Sequence, residues 1–155
     1  MDIRFAQVQD VPGIISLLKQ VGSVHHQGRP DIFRSNAQKY SPSQVIAMLN
    51  AADLPILVAV EGEKVLGYSF GQIKRYPQDP VMTEHSTLYI DDLCVDENCR
   101  GRGVGTALYH ATCDLARSQG CGSITLNVWC CNEKAMRFYE HLGLVPQKIG
   151  MEKML

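Results

Sequence analysis

The sequence lacks an apolar run of about 18 residues, the length that a membrane-spanning helix requires. Its first ten residues, MDIRFAQVQD, carry charges where a signal peptide requires an apolar core. We therefore expect no membrane partner and a cytoplasmic location.

A surplus of basic charge is also missing. The chain has 15 Lys and Arg against 16 Asp and Glu, which gives a formal net charge of −1. Domains that bind nucleic acid usually concentrate basic residues on one face. We therefore expect no nucleic-acid partner.

Metal-binding patterns are absent as well. The 6 cysteines form no C-x-x-C pair, and no histidines have the spacing of a zinc site. His25 and His26 are adjacent, so they cannot share one helix face as metal ligands would. We expect free thiols and no metal.

What the sequence does contain is enough apolar material for one domain. It has 155 residues, of which 45% are hydrophobic. Hydrophobic periodicity predicts the order strand, two helices, three strands, helix, strand, helix, strand. We expect a single domain over residues 1–155, with a hairpin at residues 61–64 and a parallel strand–helix–strand unit from Leu88 to Val128.

The segment RGRGVG, Arg100 to Gly105, lies between the predicted strand STLYIDDLCV and a predicted helix. Free backbone N–H groups at the start of a helix attract anions, most often phosphate. A Walker loop fits poorly because no Lys-Ser or Lys-Thr pair follows the glycines. A Rossmann fingerprint also fits poorly because its third glycine position holds Thr106 or Leu108.

A third phosphate-binding pattern fits better. Arg100-x-x-Gly103-x-Gly105 resembles the R/Q-x-x-G-x-G/A signature of the GNAT N-acetyltransferase superfamily, whose turn holds the pyrophosphate of acetyl-CoA. The segment NEKAMRFYEHLGL, Asn132 to Leu144, resembles the second signature, N-x-x-A-x-x-F-Y-x-x-x-G-F, with Leu144 replacing the final aromatic residue. The two segments together identify the chain as similar to this superfamily.

The resemblance implies a fold and a cosubstrate. The fold is a single-domain α/β (α+β) GNAT fold with helices on both faces. Its mixed, mostly antiparallel sheet has six to seven strands and a splayed parallel central pair. The cosubstrate is acetyl-CoA, without a metal. Residues implied to bind it are Leu93, Cys94, Val95, Arg100, Gly101, Arg102, Gly103, Val104, Gly105, Thr106, Asn132 and Tyr139. Asn132 could instead, or in addition, cap its own helix.

The resemblance also implies direct attack of an amine on the thioester, without an acyl-enzyme. Asp91 and Asp92 are candidate catalytic carboxylates, although adjacent strand residues point to opposite faces, so at most one should enter a given pocket. Similarity to the small-amine acetyltransferases favours Asp91 as the base, with Asp92 attracting the amine or organising water. The alternative is that they cap backbone groups or pair with an arginine.

Tyr139 matches a tyrosine that the family often places near the coenzyme sulfur as general acid, and its alternative role is a core aromatic residue. Cys94 and Cys130 have no histidine nearby in sequence, which argues against a nucleophilic cysteine. For the acceptor substrate, the family implies a contribution from the loop that contains His26 and Arg29. Trp129 is a candidate wall of the same pocket. The alternatives are a solvated loop and core packing.

The acidic pair favours a small primary amine as substrate: a polyamine, a diamine or a lysine-like amino acid. Acetylation of protein N-termini or lysines remains an alternative. So does a non-catalytic acyl-CoA sensor or interaction module. The resemblance leaves a homodimer open, since many relatives are dimers.

Overall fold

The fold alternates helices with the strands of one sheet. The computed structural model describes residues 1–155, and none of its helices is both long and apolar enough to span a bilayer. The strands are β1 (Asp2–Phe5), β2 (Ile56–Glu61), β3 (Lys64–Tyr76), β4 (His85–Val95) and β5 (Ser123–Leu126). The helices are α1 (Val11–Gly28), α2 (Pro42–Leu49), α3 (Val104–Ser118) and α4 (Glu133–His141).

The strands pair in the order β1-β2-β3-β4-β5. The first three pairings are antiparallel, whereas β4 and β5 are parallel. β5 pairs only as far as Ile90, while β4 stays paired with β3 as far as Val95. The parallel strands therefore separate beyond Ile90, which confirms the predicted splay.

Helices cover both faces of this sheet, as predicted. On one face, α1 and α2 bury Ile14, Leu18 and Val45 against the β3 residues Tyr68 and Phe70. On the other face, α3 buries Val104 and Leu108 against the alternate residues of β2 and β3, which are Leu57, Ala59 and Leu66. The fold class is confirmed.

Two details of the predicted sheet are corrected. The sheet has five strands rather than six or seven, and its parallel pair lies at the edge rather than the centre. Both differences arise because the segment after Leu144, expected to form one or two last strands, forms none. Val145 and Ile149 are each 82% exposed. Pro146 has no N–H for a ladder, and β5 offers only four residues to pair with.

The start of α2 is marked by an N-terminal capping box that the sequence Ser41-Pro42 predicts. Ser41 Oγ accepts a hydrogen bond from the Gln44 N–H at 3.3 Å, and Gln44 Oε1 accepts one from the Ser41 N–H at 2.8 Å. Pro42 occupies the first helical position, where its missing N–H costs nothing. This capping box fixes where the irregular segment before α2 ends.

We expect Ser41→Ala to lower the free energy of unfolding by about 1 kcal/mol, because the N–H of Gln44 loses its acceptor. Denaturation in urea measures this change. The matched control is Ser16→Ala, at an exposed position inside α1, which should change the free energy by no more than about 0.5 kcal/mol. Equal effects of the two substitutions would contradict a capping role for Ser41.

Candidate active site

Over the length along which β3 and β4 are paired, β4 contains one residue more than β3. Phe70 lies opposite Asp92, and the next residue of β3, Gly71, lies opposite Ile90. Asp91 is therefore the extra residue of a β-bulge, which interrupts the alternation of side chains between the two faces. The expectation that Asp91 and Asp92 point to opposite faces is wrong for this reason.

Both carboxylates reach aromatic side chains on the α1 and α2 face of the sheet. Tyr40 Oη donates to Asp91 Oδ2 at 2.6 Å, and Tyr68 Oη donates to Asp92 Oδ2 at 2.8 Å. The rings of Tyr40 and Tyr68 each contact that of Phe70, with centroids 5.5 and 4.9 Å apart. The cluster of Tyr40, Tyr68 and Phe70 thus holds the two carboxylates side by side.

Asp91 also binds a cation of the chain itself. Lys39 Nζ lies 2.8 Å from Asp91 Oδ2 and donates to the Asp91 carbonyl oxygen at 3.0 Å. The Asp91 side chain is only 9% exposed, whereas that of Lys39 is 44% exposed. The Asp91 carboxylate is therefore buried, whereas the Lys39 ammonium that pairs with it is accessible to solvent.

Asp92 has an unusual acidity. Burial raises the pKa of its carboxyl to about 6, against the lowering effects of the Tyr68 hydrogen bond and the Lys39 charge. The neighbouring charge of Asp91 raises it further. A carboxylate with this pKa is ionised at neutral pH and is a better proton acceptor than an ordinary aspartate.

Tyr139 lies in α4, and the charge of Asp92 acts on its phenol. Burial and then the charge of Asp92 raise the pKa of the Tyr139 phenol well above 10.0, so it remains protonated at neutral pH. Its hydroxyl makes no hydrogen bond within the protein, so the proton is available to a bound group.

Cys94 is unsuited to nucleophilic chemistry. Its side chain is buried and its Sγ contacts the Leu17 carbonyl oxygen at 3.7 Å. Burial raises the pKa of the thiol to about 12, so the reactive thiolate is scarce at neutral pH.

The glycine-rich turn borders an open cavity of about 450 Å³. Gly101 and Gly103 have φ values of +76° and +77°, and a Cβ at either would meet nothing within 4 Å. The backbone N–H groups of Val104, Gly105 and Thr106 have no acceptor, since Gly103 offers no capping side chain. The arrangement suits an anion. The lining residues are Val95, Cys99, Arg100, Gly101, Gly103, Val104, Gly105, Thr106 and Phe138.

The third glycine of the turn does something different. A Cβ on Gly105 would lie 3.3 Å from Phe138 Cζ and 3.5 Å from Val95 Cγ2. Its missing side chain therefore lets α4 approach α3. Because Phe138 precedes Tyr139, this contact also sets the position of the tyrosine.

The two arginines of the turn are separated by the structure. Arg100 is exposed, lines the cavity and forms no ion pair. Arg102 instead pairs with Glu61 at the end of β2, with Nη2 and Oε1 3.1 Å apart, and does not line the cavity. Asn132 caps α4, its Oδ1 accepting from the Ala135 N–H at 3.2 Å.

The expectation that His26 lies in a loop is wrong, because α1 continues to Gly28 and includes both His25 and His26 in its last turn. The segment after α1 contacts Trp129 through Phe33. The His25 ring stacks on Phe33, with centroids 4.9 Å apart, and Phe33 meets Trp129 edge-on at 5.2 Å. Burial, and then the Lys39 charge, lower the pKa of His25. His26 is engaged by the Phe33 carbonyl oxygen at 2.7 Å from Nδ1.

Arg29 is occupied elsewhere. It forms ion pairs with Asp31, at 2.7 Å, and with Glu152 of the C-terminal segment. Arg29 therefore connects the segment after α1 to the C-terminal segment, and its guanidinium group is already paired with two carboxylates.

Sequence reasoning missed Lys39, Tyr40 and Tyr68. Tyr40 meets Asp91 across 51 residues of chain, so no local pattern announces the contact. The one signal in the sequence is that Tyr40 directly precedes the Ser41-Pro42 cap. This cap predicts where α2 starts and therefore that Tyr40 lies close to the sheet.

The comparisons with known proteins agree with this geometry. The family model described as "Acetyltransferase (GNAT) family" matches residues 25–144. The thialysine N-epsilon-acetyltransferase of Mus musculus is 25% identical over 144 residues, which cover 91% of this chain and 82% of the mouse enzyme. The glucosamine 6-phosphate N-acetyltransferase of Trypanosoma brucei brucei is 42% identical over 55 residues, but the match spans only 36% of this chain and 35% of that enzyme.

Solved structures show the same fold. A mutant of the BH1408 protein from Bacillus halodurans has a TM-score of 0.95 at 38% identity and covers 100% of this chain and 99% of its own. The aminoglycoside N-acetyltransferase AAC(6')-Iy in complex with CoA has a TM-score of 0.75 at 16% identity, covering 99% and 98%. With the splayed strands, the open glycine turn and the family match, the chain belongs to the GNAT family and is an acetyl-CoA-dependent N-acetyltransferase.

Proposed function

We propose that the acceptor is the primary amine of a small cationic molecule, such as a polyamine, a diamine or a lysine-like amino acid. The observation that carries this proposal is the pair of carboxylates on one face of β4, with the Lys39 ammonium 2.8 Å from Asp91. The Asp91 carboxylate thus already accommodates an alkylammonium group. The name of the mouse relative, a thialysine N-epsilon-acetyltransferase, agrees with a substrate of this class.

Acetyl-CoA supplies the acetyl group as a thioester. Arg100 and the free N–H groups of Val104, Gly105 and Thr106 would bind its pyrophosphate, since charge and donors face the same cavity. The β5-facing edge of β4 from Leu93 to Val95 has no strand beside it and would pair with the pantetheine amides. Gly101 and Gly103 keep the approach open. Arg102 does not belong to the proposed pyrophosphate site, because it already pairs with Glu61.

The two carboxylates have different proposed roles, which reverse the assignment expected from the resemblance. Asp92, whose pKa is raised to about 6 by burial, serves as the base that accepts a proton from the amine. Asp91, already bound by Tyr40 and Lys39, holds the ammonium group and orients it. An amine with a pKa of about 10.4 needs such a base, because neutralising it at pH 7 costs roughly 4.6 kcal/mol.

Tyr139 serves as the acid that protonates the leaving sulfur. Its phenol is protonated at neutral pH, forms no competing hydrogen bond and lies near Asp92. The aromatic surface formed by His25, Phe33 and Trp129 would contact the carbon chain of the substrate. A cation near aromatic faces is also attracted electrostatically.

The proposal is tested by release of free CoA thiol with a panel of acceptors. We expect spermidine, putrescine or lysine to give faster turnover than acidic or neutral acceptors, because two carboxylates favour a cation and repel an anion. Glucosamine 6-phosphate and a neutral N-terminal peptide are the matched comparisons. Turnover confined to peptides would identify a protein acetyltransferase instead. CoA binding without turnover on any acceptor would identify a non-catalytic sensor.

The proposed base predicts a pH profile. Below its pKa Asp92 carries a proton and cannot accept another, so kcat/KM should rise with pH through about 6. Asp92→Asn should lower kcat by roughly 10²–10⁴-fold and abolish this limb of the profile. Asp91→Asn should mainly raise KM and keep the limb. If Asp91→Asn is the variant that abolishes it, the roles are the reverse of those proposed.

The glycine turn predicts a separation of binding from stability. Gly103 and Gly120 precede and follow α3 with φ of +77° and +72°, and a Cβ at either meets nothing within 4 Å. Alanine at each should cost about 1–2 kcal/mol of unfolding free energy for the left-handed conformation. Only Gly103→Ala should also weaken CoA binding, by about tenfold or more, measured by calorimetry. Equal CoA affinity of the two variants would contradict a pyrophosphate site at this turn.

A further inference from the structure

Lys39 is a primary amine that the fold holds against the acidic pair. Its Nζ contacts both the carboxylate and the carbonyl oxygen of Asp91. Its charge also acts on the carboxyl of Asp92. The Lys64 ammonium also pairs with a carboxylate, but that pair is with Asp96, at 3.4 Å, beyond the splayed part of β4.

The segment that carries Lys39 is positioned but not locked. Residues 29–41 form neither helix nor strand, and the lysine side chain is 44% exposed. Tyr40, the next residue, is fixed by its hydrogen bond to Asp91 and by Phe70. The backbone is therefore tethered beside the site while the four-carbon side chain of Lys39 can change its direction.

We propose that Lys39 is itself an acetyl acceptor, so that the enzyme acetylates this residue when no free amine is bound. The inference rests on the proposed function, because it requires the same base and the same donor. The lysine occupies the place proposed for the substrate ammonium, so the orientation that favours the substrate also favours this residue.

The transfer to Lys39 uses the base and the acid proposed for a free amine. The ammonium of Lys39 passes a proton to Asp92, and the neutral Nζ then forms a bond to the thioester carbonyl carbon. The carbon–sulfur bond breaks, and the sulfur takes its proton from Tyr139. The nitrogen then loses its second proton, which restores the Tyr139 phenol, and Asp92 releases the first proton to solvent. The products are an N-acetyl-lysine at position 39, free CoA thiol and one proton released to solvent.

Acetylation of Lys39 would alter the site in two ways. It removes the positive charge that pairs with Asp91, and it leaves an uncharged amide beside that carboxylate. The amide also fills space that an incoming amine requires. We therefore expect the modified enzyme to turn over small amines more slowly than the unmodified enzyme.

The test is incubation of the full-length protein with acetyl-CoA in the absence of an acceptor, followed by peptide mass mapping. We expect Lys39 to be acetylated at least about tenfold faster than the exposed Lys19, because only Lys39 is oriented at the site. The first-order rate constant should not depend on protein concentration. Asp92→Asn should abolish the preference for Lys39.

Three outcomes would overturn the inference: no acetyl group on Lys39, equal labelling of Lys39 and Lys19, or equal labelling of Lys39 in Asp92→Asn. The last two indicate spontaneous chemical acetylation. A rate constant that rises with protein concentration would also overturn it, because the transfer would then be between molecules. The amine panel on the same preparation keeps the two proposals apart: thiol release with amines but no label on Lys39 defeats this inference alone.

Lys39→Arg supplies a second readout. It retains a cation for Asp91 but has no primary amine to acetylate. After incubation with acetyl-CoA and removal of the excess, the wild type should have lost several-fold of its own initial activity toward small amines. Lys39→Arg should keep the activity with which it began. An equal loss in both proteins would show that the inhibition does not arise at Lys39.

Discussion

The single extra residue in β4 is the constraint on which the site depends. Without the bulge at Asp91, strict alternation would direct either Asp91 or Asp92 toward the face that α3 covers, among Val104 and Leu108. An ionised carboxylate there would be costly, because an apolar layer offers it no partner. The bulge instead presents both acids to hydroxyl and ammonium donors on the opposite face. It thereby converts a local irregularity of pairing into two adjacent carboxylates with different environments.

The two sequence signatures, the glycine turn and the segment Asn132–Leu144, contact each other in the fold. Gly105 of the first lies against Phe138 of the second, with 3.3 Å between its Cβ position and the ring. Tyr139 follows Phe138 and shares the neighbourhood of Asp92. The turn that suits an anion and the phenol that suits a leaving sulfur are consequently positioned by the same helix contact. A larger residue at position 105 would displace α4 and alter both ends of the proposed cofactor site.

The features that could be predicted are those with local signals. Hydrophobic periodicity gave the helices and strands, Ser41-Pro42 gave the start of α2, and the glycine turn with Asn132–Leu144 gave the family. The bulge could not be predicted, because its signal is a mismatch of register between two strands. The contacts of Lys39 with Asp91 could not be predicted either, since they cross 52 residues of chain. The expected final strands do not form, because a segment with strand propensity also needs a neighbouring strand with which to pair.

Lys39 also explains how two adjacent carboxylates remain stable beside each other. Two ionised carboxylates side by side repel each other, and the charge of Asp91 indeed raises the pKa of Asp92. The Lys39 charge opposes this effect, because its ammonium group pairs with Asp91. A substrate ammonium that replaces Lys39 exchanges one cation for another and leaves the net charge at the pair unchanged. Its affinity then measures the difference between two ammonium groups rather than the full attraction of the acids. If the acceptor is the proposed diamine or polyamine, contacts of its carbon chain with Phe33 and Trp129 would be added to the same ion pair and would favour this exchange.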